Sequence, residues 1–298
     1  MRRLFFSVIV FSIVLGATAQ SKIVVFQSDF GVKDGAVSAM KGVAMGVSSE
    51  LKLYDLTHEI PAYDIWEGAY RLMQTVPYWP AGTVFVSVVD PGVGTSRKSV
   101  VAKTKTGQYI VTPDNGTLTL IAETLGIAEL REIDEAVNRR KDSEKSYTFH
   151  GRDVYAFTGA RLASGVITYE QVGKALPLEP VMISYQKASL SGNVIKGNIP
   201  VLDIQYGNVW TNIGADLFNQ WNIKPGDKLQ VTIFNNKQKV YTGVMPYAET
   251  FGAVVKGKPL AYLNSLLQLS FALNMASFAK VYHVSSGSAW SMEVSRAK

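Results

Sequence analysis

Between Lys22 and about Gly165, short apolar runs alternate with stretches of helical spacing, and few folds are open to a chain patterned this way. Ile23-Val24-Val25-Phe26 and residues 51–56, 83–89 and 109–112 read as strands, whereas residues 35–47, 65–76, 118–125 and 154–164 read as helices. Strands that alternate with helices predict βαβ units and a largely parallel sheet, a Rossmann-like α/β domain over residues 20–180. The last third is patterned differently. Residues 194–209, 228–234, 239–244 and 281–284 are strand-like, Asn235-Asn236 suggests a hairpin turn, and one helical stretch is expected near 266–279. These features predict a smaller, mostly antiparallel β-domain over residues 190–298, joined to the first near Pro177 and Pro180.

Residues 1–19 carry a targeting pattern. Arg2-Arg3 is followed by an apolar stretch over 4–16 that is short for a membrane span, and then by Ala17-Thr18-Ala19, a small-x-small cleavage site. The expectation is an exported protein, periplasmic or secreted, with no membrane span once the signal is removed. Losing Arg2 and Arg3 lowers the formal net charge of +6 by two. The remaining lysines and arginines are scattered, and the Arg139-Arg140-Lys141 run, close to Asp142 and Glu144, reads as a solvated loop. Nucleic acid is therefore not an expected partner. The absence of cysteine excludes disulfides, thiolate catalysis and Cys-based metal sites.

In an open α/β sheet, ligands bind beyond the carboxyl ends of the strands. The first strand leads into Ser28-Asp29-Phe30-Gly31, with Asp34 further on. The second ends near Asp55, the third runs into Asp90-Pro91-Gly92-Val93-Gly94, and a fourth into Pro113-Asp114-Asn115-Gly116. Any single Asp among these has an ordinary use in a turn or, for Asp34, at a helix N-terminus. Several carboxylates delivered to one rim point to a site. Gly92-x-Gly94 is not a dinucleotide fingerprint, because it does not follow the first strand and lacks a third glycine in register. Only three histidines are present, His58, His150 and His283, and His150 sits on the tight segment Phe149-His150-Gly151-Arg152-Asp153 just before a helix.

Together these segments resemble the S-adenosyl-methionine hydroxide adenosyltransferases, relatives of the fluorinase and chlorinase enzymes. The resemblance rests on Ser28-Asp29-Phe30-Gly31 with Asp34, Asp90 through Arg97, Pro113-Asp114-Asn115-Gly116 and Phe149 through Asp153. Further along it rests on Asp203-x-x-x-Gly207-Asn208-Val209-Trp210-Thr211-Asn212 and Leu263-Asn264-Ser265. It implies an α/β domain followed by a β-barrel-like domain, and attack of a water-derived hydroxide on C5′ of S-adenosyl-methionine, releasing adenosine and methionine without a cofactor or metal. It also implies a homotrimer with the site between subunits. The hydrolase branch carries an Asp–Arg–His trio that maps onto Asp90, Arg97 and His150. The fluorinase has tyrosines at the positions of Asp90 and His150, and a long insertion between Arg97 and Pro113 where this chain has a short link. These differences imply hydroxide rather than halide.

Within that resemblance, His150 is the side chain best suited to accept a proton near neutral pH. Arg97 is too basic for that role and is assigned to stabilising the hydroxide, with Asp90 orienting it. Asp29 matches the carboxylate that holds the ribose hydroxyls, and Asp34 a residue near the methionine amino group. Tyr63, Phe149 and Phe251 are aromatic packing or stacking candidates, and Tyr63 and Phe251 are equally open to being core. Asp203 and Asn208 match contacts to methionine and adenine, and Asn208 also suits a turn. Ser265, Asn274 and Met275 align with the rim that completes the site. The chain departs from the fluorinase at Leu266, where an arginine grips the substrate carboxylate, and at Ala36, where a serine lies near the methionine moiety. Two competing readings are an exported adenosine or S-adenosyl-methionine binder with little turnover, and a metal-dependent hydrolase built on Asp29, Asp90 and Asp114.

Overall fold

The computed structural model describes residues 21–297, so the expected signal segment lies outside the described residues. The first half builds β1 (Ile23–Ser28), α1 (Ala36–Val47), β2 (Lys52–Thr57), α2 (Ile65–Thr75), β3 (Val84–Val88), β4 (Ser99–Thr104), β5 (Tyr109–Pro113), α3 (Thr119–Thr124), β6 (Ile127–Glu132), α4 (Glu135–Asn138) and α5 (Phe157–Ser164). The strands form one six-stranded sheet in the order β2-β1-β3-β5-β4-β6. The first four of these are mutually parallel, and β4 is reversed against both β5 and β6.

The apolar runs are strands with both faces covered, and successive side chains enter opposite layers. Val24, Phe26, Val84 and Val86 pack with Met40 and Ala44 of α1 and Ala160 of α5. Val25, Phe85 and Ile110 pack on the other face with Leu72 of α2 and Ile121 of α3. Helix α5 lies so close to β3 that a Cβ on Gly159 would stand 2.6 Å from Val86 Cγ2. β1 has β2 on one side and β3 on the other, so the connections reverse direction between β1 and β3. The crevice beyond the carboxyl ends of these two strands is the topological switch point. Asp29 and Asp90 emerge there.

The second half contains β7 (Ser189–Ser191), β8 (Val194–Asn198), β9 (Val201–Leu202), β10 (Val209–Gly214), α6 (Ala215–Phe218), β11 (Lys228–Asn235), β12 (Gln238–Pro246), β13 (Pro259–Leu263), β14 (Gln268–Leu273), α7 (Phe278–Tyr282) and β15 (Trp290–Arg296). They form two antiparallel sheets, β13-β14-β10-β9 and β12-β11-β15-β8-β7, around a core that includes Ile195, Val209, Leu229, Phe271 and Met292. Among the described residues no strand pairing closes them into a barrel. The expected hairpin is present, with Asn235 opposite Gln238 and Asn236 at a φ of 52°.

Several expectations need correction. The run 194–209 is not one strand, because Pro200 and the turn at 203–208 divide it into β8, β9 and the start of β10. The stretch 266–279 is not one helix: residues 268–273 pair on both edges as β14, and the helix starts only after Ser277, whose Oγ accepts from Lys280 N at 3.1 Å. Val281 and Tyr282 are helical, not extended. Asp55 lies inside β2, which runs on to Thr57.

The linker is laid along the first domain. Asp114 Oδ1 accepts from Val181 N at 2.9 Å, and Thr119 Oγ1 from Ile183 N at 2.9 Å. Trp66 Nε1 donates to Pro200 O at 3.0 Å, and its ring packs on Tyr185 at 4.7 Å. No helix among the described residues is long and apolar enough to cross a membrane.

Candidate active site

At the end of β3 the chain turns through Asp90-Pro91-Gly92. Thr95 N donates to Gly92 O at 3.1 Å and Thr95 Oγ1 to the same oxygen at 2.7 Å, which folds the loop back on itself. Arg97 is thereby returned to Asp90: its Nε donates to Oδ1 at 2.7 Å and its Nη2 to Oδ2. The pair is largely buried, with side-chain exposures of 4% for Asp90 and 12% for Arg97. A two-pronged contact between planar groups fixes the guanidinium far better than a lysine would be fixed. Arg97 Nη1 also donates to Ser99 Oγ at 3.0 Å, and Ser99 meets the Tyr155 hydroxyl at 3.2 Å. Burial pushes the Tyr155 phenol well above its ordinary range, so it stays neutral.

His150 comes from a different part of the chain, at the entry to a π-helical turn over Gly151–Ala156 that leads into α5. Such turns are common at functional sites. Asp153, buried and paired with both Arg140 and Arg152, anchors this entry, and Arg140 N donates to Asp153 O at 2.8 Å. The His150 ring is buried, with Nδ1 3.4 Å from Arg97 Nη2 and Nε2 2.9 Å from Arg139 Nη2. Burial pushes the imidazole below its ordinary value. Glu135 and Asp90 oppose that shift, while Arg139 and Arg97 reinforce it. His150 is therefore neutral at pH 7. The sequence trio is one contiguous cluster, and Tyr155, Ser99, Arg139 and Glu135 belong to it as well.

Reading Arg139 as a solvated loop residue was incorrect. Its side chain is 8% exposed, tied to Glu135 one helical turn earlier and stacked over Tyr147 at 4.7 Å. The i,i+4 acid–base spacing was the available signal. His58 was likewise passed over. Ser28 Oγ meets His58 Nδ1 at 2.7 Å, His58 Nε2 meets Asp55 Oδ1 at 3.0 Å, and Lys41 Nζ donates to Asp55 Oδ2 at 2.6 Å. Burial works to raise the Asp55 carboxyl, but the hydrogen bonds from Lys41 and His58 outweigh it and hold it below the ordinary value. Ser28 is fully buried, so this chain of contacts is a brace and not a nucleophile. His58 O accepts from Gly31 N at 2.7 Å, which fixes the turn that presents Asp29.

The substrate-binding candidates fall into two groups. Asp29 and Tyr63 are joined, Asp29 Oδ2 accepting from Tyr63 N at 2.9 Å, with Tyr63 held at a φ of 69° and its ring exposed. Phe149 packs edge-on against Phe30 at 5.8 Å beneath the Arg152 guanidinium. Asp34 accepts from Ala36 N at 2.9 Å and serves the start of α1. In the second domain, Asp203 N donates to Asn208 O at 2.9 Å and Asn208 Nδ2 to Asp203 Oδ2 at 3.3 Å. Gly207 between them has a φ of 68°, and a Cβ there would meet Ser277 Oγ at 2.0 Å, so only glycine makes this turn. Asn208, Phe251, Asn274 and Met275 share one cleft of about 620 Å³, a volume suited to a nucleoside-sized ligand. Ser265 stands apart from them, at the opposite end of the β13–β14 hairpin, roughly 20 Å along the strand from Asn274. The lining of the cleft includes none of the trio.

Asp29, Asp90 and Asp114 are each engaged separately, by Tyr63, Arg97 and Val181, and do not form a cluster. The metal reading has no ligand set among them.

Comparison with known families decides the assignment. The model of the SAM hydroxide adenosyltransferase N-terminal domain matches residues 24–173, and that of the C-terminal domain of the same family matches residues 197–291.

The chain belongs to the SAM hydroxide adenosyltransferase family.

Its relatives carry the names of a hydrolase and of a fluorinase. A protein of Methanocaldococcus jannaschii named (R)-S-adenosyl-L-methionine hydrolase is 46% identical over 144 residues, a stretch covering 47% of this chain and about half (52%) of that relative. A Salinispora tropica protein of the same name is 31% identical over 88% of this chain and 94% of its own length. A fluorinase of Actinopolyspora mzabensis is 29% identical over 89% of this chain and 95% of its own. Among solved structures, an uncharacterized conserved protein from Thermotoga maritima superposes with a TM-score of 0.81 at 34% identity, covering 92% of this chain and all of that one. For a SAM hydroxide adenosyltransferase the two-part arrangement has a simple sense: the first domain carries the buried polar trio, and the second an open cleft with an aromatic wall.

Proposed function

We propose that this protein hydrolyses S-adenosyl-L-methionine to adenosine and L-methionine by attack of a water-derived hydroxide on C5′. The observation that carries the reading is the buried Asp90–Arg97–His150 cluster at the switch point of the sheet, beside Asp29. In the reaction an O–C5′ bond forms as the C5′–S bond breaks, and the electron pair leaves on sulfur as the neutral thioether of methionine. A sulfonium needs no acid to depart, so the task is to hold one water in line and stabilise its developing charge. Arg97 supplies its charge and the Nη2 hydrogen that Asp90 does not take, and Asp90 keeps the guanidinium oriented. Asp90, in place of His150, is assigned to take the released proton, because His150 Nε2 already accepts from Arg139 and water that has begun to bond to carbon is far more acidic than a carboxylic acid. Asp29 is assigned to the ribose hydroxyls, with Tyr63 and Phe149 close by. Asn208, Phe251, Asn274 and Met275 are assigned to the adenine and methionine ends. The chemistry draws on no cofactor.

Because the cleft and the trio do not share a lining within one chain, we infer that the complete site forms between subunits of a homotrimer; light scattering at three times the chain mass tests this. Export is proposed on residues 1–19 alone, and N-terminal sequencing of the secreted protein should begin at Gln20. The activity is tested by incubating the purified protein with each sulfonium epimer of S-adenosyl-L-methionine and following products by chromatography. Equimolar adenosine and methionine are expected. Tight binding without products would favour a binder, and 5′-halo-adenosine on adding chloride or fluoride would favour a halide-using enzyme.

A further inference from the structure

His150 is the one member of the trio held from both sides by cations. Arg97 approaches Nδ1 at 3.4 Å, and Arg139 approaches Nε2 at 2.9 Å. A guanidinium only donates, whereas a neutral imidazole has one accepting and one donating nitrogen. The shorter contact decides which is which: Nε2 accepts from Arg139, so the ring hydrogen sits on Nδ1. That N–H then faces the Arg97 Nη2 hydrogen not used by Asp90, two donors at 3.4 Å with no acceptor between them. The group that both would serve is an oxygen carrying negative charge.

Arg139 is itself tightly placed. Glu135 accepts from its Nε at 3.2 Å and its Nη2 at 2.6 Å, and the Tyr147 ring lies under the guanidinium. Its Nη1 is buried with no hydrogen-bond partner among the described residues. An arginine buried at that cost for packing alone is hard to account for, whereas one that sets the state of a neighbouring ring has a use. The charged and titratable groups around the imidazole are Arg97 and Asp90 on one side, Arg139 and Glu135 on the other, with the Tyr147 and Tyr155 rings at 6.2 and 6.4 Å.

We propose that Arg139, held by Glu135, is a positioning residue that locks His150 in the Nδ1–H form, so that His150 serves the reaction as a hydrogen-bond donor to the attacking oxygen and not as the base. This rests on the hydrolytic reading for its purpose but not for its test. Long-range ¹H–¹⁵N spectra of protein labelled at histidine, with His150 assigned by its loss in His150→Asn, report the tautomer directly. The wild-type ring is expected in the Nδ1–H form at pH 7.5. Arg139→Met should shift it toward Nε2–H, and Arg139→Lys, which keeps a cationic donor, should restore it. In turnover, Arg139→Met should lower kcat about tenfold with KM near its starting value, as expected when a group that orients another is lost. His150→Asn, which places an amide N–H near the position of Nδ1–H, should retain roughly tenfold more activity than His150→Ala. An Nε2–H ring in the wild-type protein, or a tautomer that Arg139→Met leaves unmoved, would overturn the proposal. A wild-type protein that converts no S-adenosyl-L-methionine would remove the hydrolytic reading, while the resting-state tautomer would still decide the role of Arg139.

Discussion

The two halves of the proposed site are built on opposite principles. In the first domain Asp90, Arg97, His150, Tyr155, Ser99 and Arg139 form a buried net in which nearly every polar atom has a partner from the same chain. In the second, Phe251, Met275 and Tyr206 stand largely open around the cleft, 41%, 77% and 66% exposed. A prebuilt polar net is what chemistry needs, because donors fixed in advance cost no reorganisation when charge develops. An open wall with aromatic and apolar groups is what recognition needs, and it gains its full value only when something covers it. The difference teaches that removing a side chain from one half should damage the chemical step, and from the other half should damage binding.

That division can be broken experimentally. The largest effect is expected from Arg97→Ala or Asp90→Asn, each lowering kcat by about 10²–10³-fold with KM changed only slightly, as for loss of an oriented charge-stabilising group. Phe251→Ala should do the reverse, raising KM roughly tenfold, in line with the loss of a stacking surface for a base, while kcat stays near its starting value. Steady-state kinetics on adenosine release checks both, and a kcat loss from Phe251→Ala with no change in KM would collapse the distinction.

The response to acid comes next in size. His150 is held below its ordinary value of about 6.5 in the folded state, so its contribution to stability is fully present above about pH 6.5 and is lost as the pH falls through the folded value. Thermal melts between pH 7.5 and 5 should therefore drop less in His150→Asn than in wild type, and Phe251→Ala should follow the wild-type pH trend. The smallest effect belongs to the seam between domains. Trp66→Phe removes the Nε1–H donated to Pro200 O, a bond worth about 1 kcal/mol, and should lower the melting temperature by about 2–4 °C without altering kinetics.

Much of this is legible in the sequence. The apolar runs at Ile23 and Val84 could only be covered strands, and turns beginning at Asp29 and Asp90 had to lie at their carboxyl ends. What escaped was decided by tertiary contact. Ile127–Glu132 mixes Ala, Leu and Glu in a way that favours helix, yet pairs with β4 as a sheet edge. Gln268–Leu273 alternates Leu269, Phe271 and Leu273 with Gln268, Ser270 and Ala272, a strand period inside the stretch expected to be helical, and β10 and β13 flank it. In the site, Asp90, Arg97 and His150 were found because their motifs are distinctive. Arg139 was missed because a basic run beside acids looks like a solvated loop, and nothing local reveals that a histidine eleven positions later closes over it. His58 was missed for a similar reason, since its partners Ser28 and Asp55 lie on two different strands.

The central claim is that water attacks C5′ of S-adenosyl-L-methionine, and isotope labelling tests it most directly. Turnover in H₂¹⁸O, with mass spectrometry of the released adenosine, should place one ¹⁸O in the 5′-hydroxyl and leave the methionine unlabelled. Adenosine without ¹⁸O, or labelled methionine, would contradict it.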